Sequence, residues 1–288
     1  MTTGATFAAD WLDLREPFDA AARNPDLAAR FIAALPPRPV LIDLGAGGGS
    51  LFRWLAPRIG GDQAWLLVDA DAGLLEHALA ITAAWADVHG FAVRSALDGL
   101  TLRTQGGIWR LTTRVADLAD LAPLDIGQAD AIVCSALLDL VSARWIARLA
   151  AATRGPVLAC LNVDGHDATC PPHAADRAVT TGFRRDQARD KGFGPALGRH
   201  ATAAVRAAFT ARGFTVVAAP SPWRIPPDAA AMLAALVHGH AVAATLRLPA
   251  ARGAIAHWQS TRLRQIAAGR LAMRVGHRDV LALPHGDP

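Results

Sequence analysis

Short apolar runs alternate along this chain with longer stretches whose hydrophobic positions recur at helical spacing. Pro39 to Gly45 (Pro-Val-Leu-Ile-Asp-Leu-Gly) is such a run, set between Pro36-Pro37 and a glycine cluster, and Leu51, Phe52, Trp54 and Leu55 follow it on one helical face. The pattern predicts a strand, a tight turn and a helix. Ala64 to Val68 repeats it as a second strand ending at Asp69, with a helix from about Gly73 to His89 carried by Leu74, Leu75, Ala78, Leu79, Ile81 and Trp85. Leu100 to Thr104 and Ile108 to Val115 flank Gln105-Gly106-Gly107 and read as a hairpin whose second strand runs on to Asp117. Further strands are predicted at Ala129 to Cys134, Pro156 to Val163 and Phe214 to Ala218, and helices at Ala143 to Ala152 and Ala201 to Ala211. Alternation of strand and helix predicts an α/β chain built on a parallel sheet.

Between Asp164 and Gly198 the pattern gives way to prolines, glycines and charges, a connection long enough to be either functional or disordered. Beyond Pro220-Ser-Pro-Trp-Arg-Ile-Pro-Pro227, two helical stretches (about 228–247 and 253–268) lead to a last strand or strands within Leu271 to Leu283. No internal repeat or linker divides the chain, so it reads as one domain with appendages.

Composition narrows the function classes. Hydrophobic residues make up 52% of the 288 positions, but 64 of them are alanine. The longest apolar run, Ala229 to Leu246, is interrupted by His238, Gly239 and His240, so no membrane span is expected. Asp10 and Asp13 stand where a secretory leader would be basic, and a cytoplasmic protein is expected. Cys134, Cys160 and Cys170 lack CxxC spacing and read as reduced thiols, with no metal site. A net charge of +4 with scattered arginines argues against a nucleic-acid partner. The chain's 29 basic residues are 28 arginines and a single lysine, Lys191, and only two of its 25 acids are glutamates, Glu16 and Glu76.

The most specific motif is Asp43-Leu-Gly45-Ala46-Gly47-Gly48-Gly49-Ser50 at the first strand-to-helix turn. Glycines let the backbone approach a ligand, and the helix start offers free N–H groups. Asp69, ending the second strand 20 residues after Gly49, is placed to accept both hydroxyls of a ribose. Ser50 replaces the last glycine of a dinucleotide fingerprint, and Asp43 would repel a pyrophosphate; an ammonium-bearing cofactor suits that carboxylate better. A P-loop is excluded because no Lys-Ser or Lys-Thr follows the turn.

On these residues the chain resembles the class I S-adenosylmethionine-dependent methyltransferases over roughly 39 to 220, with the final strand near 271 to 283. The resemblance implies a Rossmann-like, doubly wound, mostly parallel seven-stranded sheet. It also implies an N-terminal helical lid (1–38) and a main domain (39–288) with a loop at 164–198 and a helical insertion at 226–269. Asp43, Gly45, Ala46, Gly47 and Gly49 would then lie along the methionine end of S-adenosyl-L-methionine, Asp69 on its ribose, Ala70 and Asp71 beside the adenine, and Asp117-Leu118 near the adenine amino group. Cys134-Ser135 would face donor and substrate, with Cys134 a buried structural thiol.

Two further stretches, Trp11 to Asn24 and Arg189 to Gly198, are similar to those in bacterial small-molecule methyltransferases. Arg15 or Arg23 would pair with the cofactor carboxylate or an acidic substrate group. Asp139, Asp164 and His166, beyond the fourth and fifth strands, face the acceptor on this reading, with His173 and Trp223-Arg224 near the same rim. A lone lysine among arginines marks Lys191 as a position calling for a compact ammonium. The expected activity is methyl transfer to a small molecule by in-line displacement. Alternatives are a protein or RNA acceptor, or a non-catalytic nucleoside-binding regulator of the same fold. Oligomeric state is not legible.

Overall fold

The computed structural model describes residues 8–285. In chain order the helices are α1 (Ala9–Ala22), α2 (Pro25–Ala33), α3 (Ser50–Ile59), α4 (Ala72–Val88), α5 (Ala143–Ala152), α6 (Asp176–Gln187), α7 (Ala201–Thr210), α8 (Ala230–Arg247) and α9 (Arg252–Ala267). The strands are β1 (Val40–Leu44), β2 (Gln63–Asp69), β3 (Ala92–Ala96), β4 (Gly99–Arg103), β5 (Ile108–Val115), β6 (Ala131–Ser135), β7 (Val157–Val163), β8 (Ala168–Cys170), β9 (Phe214–Pro220), β10 (Trp223–Ile225), β11 (Ala272–Val275) and β12 (His277–Pro284).

The main sheet has nine strands in the order β3-β4-β5-β2-β1-β6-β7-β12-β9. β5, β2, β1, β6 and β7 run parallel, and β12 is antiparallel to both neighbours. This is a Rossmann-like, doubly wound arrangement, but the expected seven strands are nine. The β3-β4 hairpin extends the β5 edge, and β3 escapes prediction because it is solvated on both faces and carries no alternation.

Strand residues alternate between two cores. Ile132 and Cys134 of β6 face α5 and α7 through Trp145, Ile146, Val205 and Phe209, while Ala131 and Val133 face α2 and α3 through Phe31, Phe52 and Leu55. Helix starts are set locally. Asn24 caps α2 ahead of Pro25, Asp71 caps α4 and Ser142 caps α5.

A third core forms a cap from α6, α8, α9 and the three-stranded sheet β10-β11-β8, against which Trp11, Leu14 and Phe18 of α1 pack. The connection 164–198, expected to be irregular, therefore contains β8 and α6. Its helix is strongly polar, and it packs through smallness: a Cβ on Gly182 would stand 2.6 Å from the Ala244 Cα of α8. α8 is long and apolar enough in composition to cross a membrane, yet Met232, Leu233, Val237, Ala241 and Ala244 are buried in the cap core.

Candidate functional site

β1 leads to β2 on one side while β6 lies on its other side, so the winding reverses between β1 and β6, and a crevice opens at the strands' carboxyl ends. A cleft occupies it, lined by Asp43, Gly45, Ala46, Gly47, Gly48, Ser50 and Ser135 from the sheet side and by Leu12, Asp13, Arg15, Glu16 and Asp19 from α1.

The glycine turn is built for close approach. Gly45, Gly47 and Gly49 have φ of 68°, 50° and 76°, and Gly45 and Ala46 both donate to Val68 O, at 2.8 and 3.0 Å. Gly49 stands at the N-cap of α3, where no side chain caps the first N–H groups. A methyl group there would combine left-handed strain with contacts of 3.2 Å to Arg53 Nη1 and 3.3 Å to Ala78 Cβ. Gly49→Ala is therefore expected to cost about 1–3 kcal/mol in a thermal or urea melt; an unchanged midpoint would refute the strain.

Asp43 is the least ordinary residue of the cleft. It is 1% exposed, and neither carboxylate oxygen has a hydrogen-bond partner. Burial pushes its pKa from 3.8 to about 8, with Arg23 pulling down and Asp69 pushing further up. The site thus holds a buried acid lacking a donor, which a cationic N–H ligand would satisfy.

Asp69 Oδ2 accepts from Gly47 N–H at 2.9 Å and Oδ1 from Asp71 N–H at 3.1 Å. Burial raises its pKa and these bonds lower it. Each oxygen keeps a lone pair, so two hydroxyls can still be accepted. Ala70 follows in the turn, and Asp71 is occupied as the cap of α4, at 2.9 Å from Gly73 N. Asp117 lies outside the cleft, exposed and bonded to Ala119 N at 2.8 Å. Leu118 is buried and packs toward Gly45. Cys134 is buried beneath the crevice, and burial pushes its thiol well up, as suits a structural cysteine.

α1 is tied over the glycine turn by charge. Glu16 pairs with Arg53, whose Nη1 also donates to Gly48 O at 2.7 Å and to Thr82 Oγ1 at 3.0 Å. Asp13 meets His77 at 2.9 Å, and Leu12 lies against Gly47 and Gly48. Arg15 pairs with Asp19 at 3.1 Å and stacks over Trp223 at 4.9 Å. Arg23 is buried, donating to Ser50 Oγ at 2.9 Å and Ser135 Oγ at 3.3 Å, with Asp19 at 3.9 Å. The two arginines thus share one aspartate, and Arg23 bridges α3 to β6 across the point where the winding reverses. The four-residue spacing Arg15, Asp19, Arg23 is the readable signal for Asp19, whose role sequence reasoning missed.

The remaining residues expected at the acceptor separate into two groups. Asp139 is buried, Oδ1 lacks a partner, and burial raises its pKa to about 6 against the opposing fields of Lys191 and Arg15. Lys191 Nζ donates to Gln187 O at 2.8 Å. Asp164 instead closes a turn, accepting from His166 N–H at 2.8 Å, and the His166 ring is exposed. His173 serves a local turn, accepting from Ala175 N–H at 3.1 Å. His277, which no sequence signal singled out, is buried with Nδ1 unpartnered, 4.8 Å from the Trp223 ring. Burial holds its pKa near 3, and Arg15 lowers it too. Ala136, directly after β6, and Leu161, inside β7, are left-handed non-glycine residues with φ of 54° and 57°, a strain that clusters at functional sites.

No protein-family model and no curated protein matches the chain. Among solved structures it resembles the cyclopropane synthase MmaA2 of Mycobacterium tuberculosis, at 12% identity and a TM-score of 0.48 over 98% of this chain and 96% of that one. It also resembles a SAM-dependent methyltransferase of Geobacter sulfurreducens in complex with S-adenosyl-L-homocysteine, at 16% identity and a TM-score of 0.43 over 91% and 92%. At these identities and scores the likenesses carry no argument about activity, which must come from the chain's own cleft.

Proposed function

We propose that the protein is an S-adenosyl-L-methionine-dependent methyltransferase acting on a small-molecule acceptor. The observation that carries this reading is the pair of unpartnered Asp43 oxygens, buried in a cleft along the glycine turn, whose Gly47 N–H is held by Asp69. The cofactor carries an ammonium for Asp43 and a ribose diol for Asp69, and its sulfonium makes the methyl group electrophilic.

In this reading Gly45, Ala46, Gly47 and Gly49 give the ligand close backbone approach, and Ser135 with Arg23 borders its carboxylate end. Ala70, Asp71 and Leu118 form the adenine side, and Asp117 stands exposed outside it. Residues 8–38 act as a helical lid, the first seven residues of the expected 1–38 lying outside the described residues: Leu12 and the Glu16–Arg53 pair hold α1 over the cleft and exclude water, so positioning and desolvation supply most of the catalysis. Arg15 leads from the cleft toward Asp139 and Lys191, where the acceptor would sit.

Calorimetry with S-adenosyl-L-methionine and S-adenosyl-L-homocysteine tests the assignment. Both are expected to bind, and Asp69→Ala to weaken each by about 1–3 kcal/mol through loss of the ribose hydrogen bonds. Failure of both to bind the wild-type protein would end the cofactor assignment.

A further inference from the structure

The glycine-rich segment 189–198 takes no part in the cofactor cleft. It is fastened to the loop after β6: Leu197 N–H donates to Val141 O at 3.0 Å, and Gly198 N–H to the carbonyl of Asp139 itself at 2.8 Å. Phe193 packs edge-on to Trp145 at 6.3 Å, and Asp190 Oδ1 accepts from Gly192 and Gly194 N–H at 2.8 and 3.0 Å. These bonds bring the chain's single lysine into the field of Asp139, beside Asp186 and Arg189, with its ammonium anchored on Gln187 O at the end of α6. That anchor uses one of three N–H groups.

Asp139 Oδ1 is buried without a partner, although two cations bear on it, Lys191 from this segment and Arg15 from α1. Val163 N–H lies on its β7 side and the Cys134 thiol on its β6 side. Arg15 is engaged by Asp19, and Lys191 by Gln187. Neither fills the Oδ1 position, and a buried carboxylate oxygen left so is costly unless a ligand donates to it.

We propose that Asp139 accepts the proton of the methyl acceptor, that Lys191 is the positioning residue keeping it ionised, and that the acceptor is a neutral compound with an O–H or N–H nucleophile. The inference rests on the methyl-transfer reading above. The electron pair of the X–H bond stays on X, which bonds to the methyl carbon of the sulfonium donor. The carbon–sulfur pair passes to sulfur, and the proton goes to Asp139 Oδ1 and from there to water. Two cations beside Asp139 disfavour an ammonium acceptor, and a thioether or alkene would leave Oδ1 unpaired. An acid with a pKa of about 6 is ionised at neutral pH and still basic enough to take a proton in the transition state.

Because lysine occurs once, incorporating lysine labelled with carbon-13 at Cε gives one side-chain NMR signal from Lys191. In the wild-type protein that signal should shift with an inflection near pH 6, and Asp139→Asn should abolish the inflection. A signal that ignores this range, or moves alike in Asp139→Asn, overturns the couple. If Asp139→Asn fails to fold, Lys191→Met serves: the carboxyl infrared band that appears in the wild type as pH falls through 6 should appear at higher pH, and an unmoved band overturns the couple. With S-adenosyl-L-homocysteine bound, phenol and imidazole at pH 8 should shift the lysine signal more than dimethyl sulfide or tetramethylammonium. No shift with phenol and imidazole, or the reverse order, overturns the acceptor class. Calorimetric failure of S-adenosyl-L-homocysteine would instead strike the cofactor reading, leaving the ligand-free pH titration to judge the couple.

Discussion

Asp43→Asn is expected to make the ligand-free protein more stable while nearly abolishing cofactor binding. Asp43 has a pKa of about 8 in the folded chain against 3.8 unfolded, so the folded state holds its proton more tightly. This group's contribution to stability is therefore fully present below about pH 4 and is lost as pH rises to 8. Over that range the shift corresponds to roughly 6 kcal/mol as a ceiling, and water entering the cleft reduces it. Asparagine cannot ionise, so the variant should gain about 2–5 kcal/mol at pH 8 and little at pH 4. Melting curves of both proteins at the two pH values measure this difference directly.

The same substitution removes the charge that would meet the cofactor's ammonium. Losing a buried, charge-assisted contact should cost about 2–4 kcal/mol, a roughly 30- to 1,000-fold rise in Kd. In the wild type, binding must ionise Asp43 below pH 8, so affinity should climb with pH and protons should be released. An α-amino group with a pKa of about 7.7–8.0 then loses its own charge, which places the optimum near pH 8. Asp43→Asn should lack the rising limb. A variant that binds as well as the wild type would remove Asp43 from the cofactor site, and one that is destabilised at pH 8 would show that the carboxylate has a partner in the folded chain.

How much of this was legible follows from where each signal is stored. β1, the glycine turn, α3 and the β2–Asp69 end are written in consecutive residues, and the sequence reading of them agrees with the structure. α6 was not legible, because its apolar face is only Val179, Gly182 and Phe183 set among charged and polar residues, and its packing on α8 depends on Gly182 meeting Ala244. β3 was missed because both its faces are solvated. The short strands β8 and β10 are defined by pairing with β11 from the far end of the chain, which no local pattern encodes. The site divides the same way. Asp43 and Asp69 announce themselves by position, but the unpartnered state of Asp43 and the shared hold of Arg15 and Arg23 on Asp19 need three-dimensional neighbours.

Asp279 shows the limit most sharply and carries the other large effect. An acid inside the strand Asp-Val-Leu-Ala-Leu reads as a solvent-facing position, yet Asp279 is fully buried. Its Oδ1 accepts from Leu161 N–H at 2.7 Å and its Oδ2 from Asn24 N–H at 2.7 Å, partners 118 and 255 residues away. Leu161 is left-handed, and the β7–β12 register shifts between Arg278 and Val280, so the carboxylate replaces a ladder bond that the backbone cannot make there. Burial pushes its pKa up, and the Asn24 and Leu161 N–H groups draw it back. Asn24 is the cap of α2 and follows Arg23 directly, so Asp279 fixes the entry of α2 and with it the guanidinium that joins Ser50 to Ser135. Asp279→Ala would leave the buried Leu161 N–H and the partly buried Asn24 N–H unpaired and should cost about 3–5 kcal/mol, or roughly 5–8 °C in Tm for a chain of this size. Asp279→Asn keeps one accepting oxygen but turns an NH2 toward the other N–H, and should lose about 2–3 kcal/mol. Where either variant remains folded, S-adenosyl-L-homocysteine should bind at least several-fold more weakly, because Arg23 is no longer held. A stable Asp279→Ala protein with wild-type affinity would mean that water satisfies both N–H groups and that α2 is positioned by its apolar face alone.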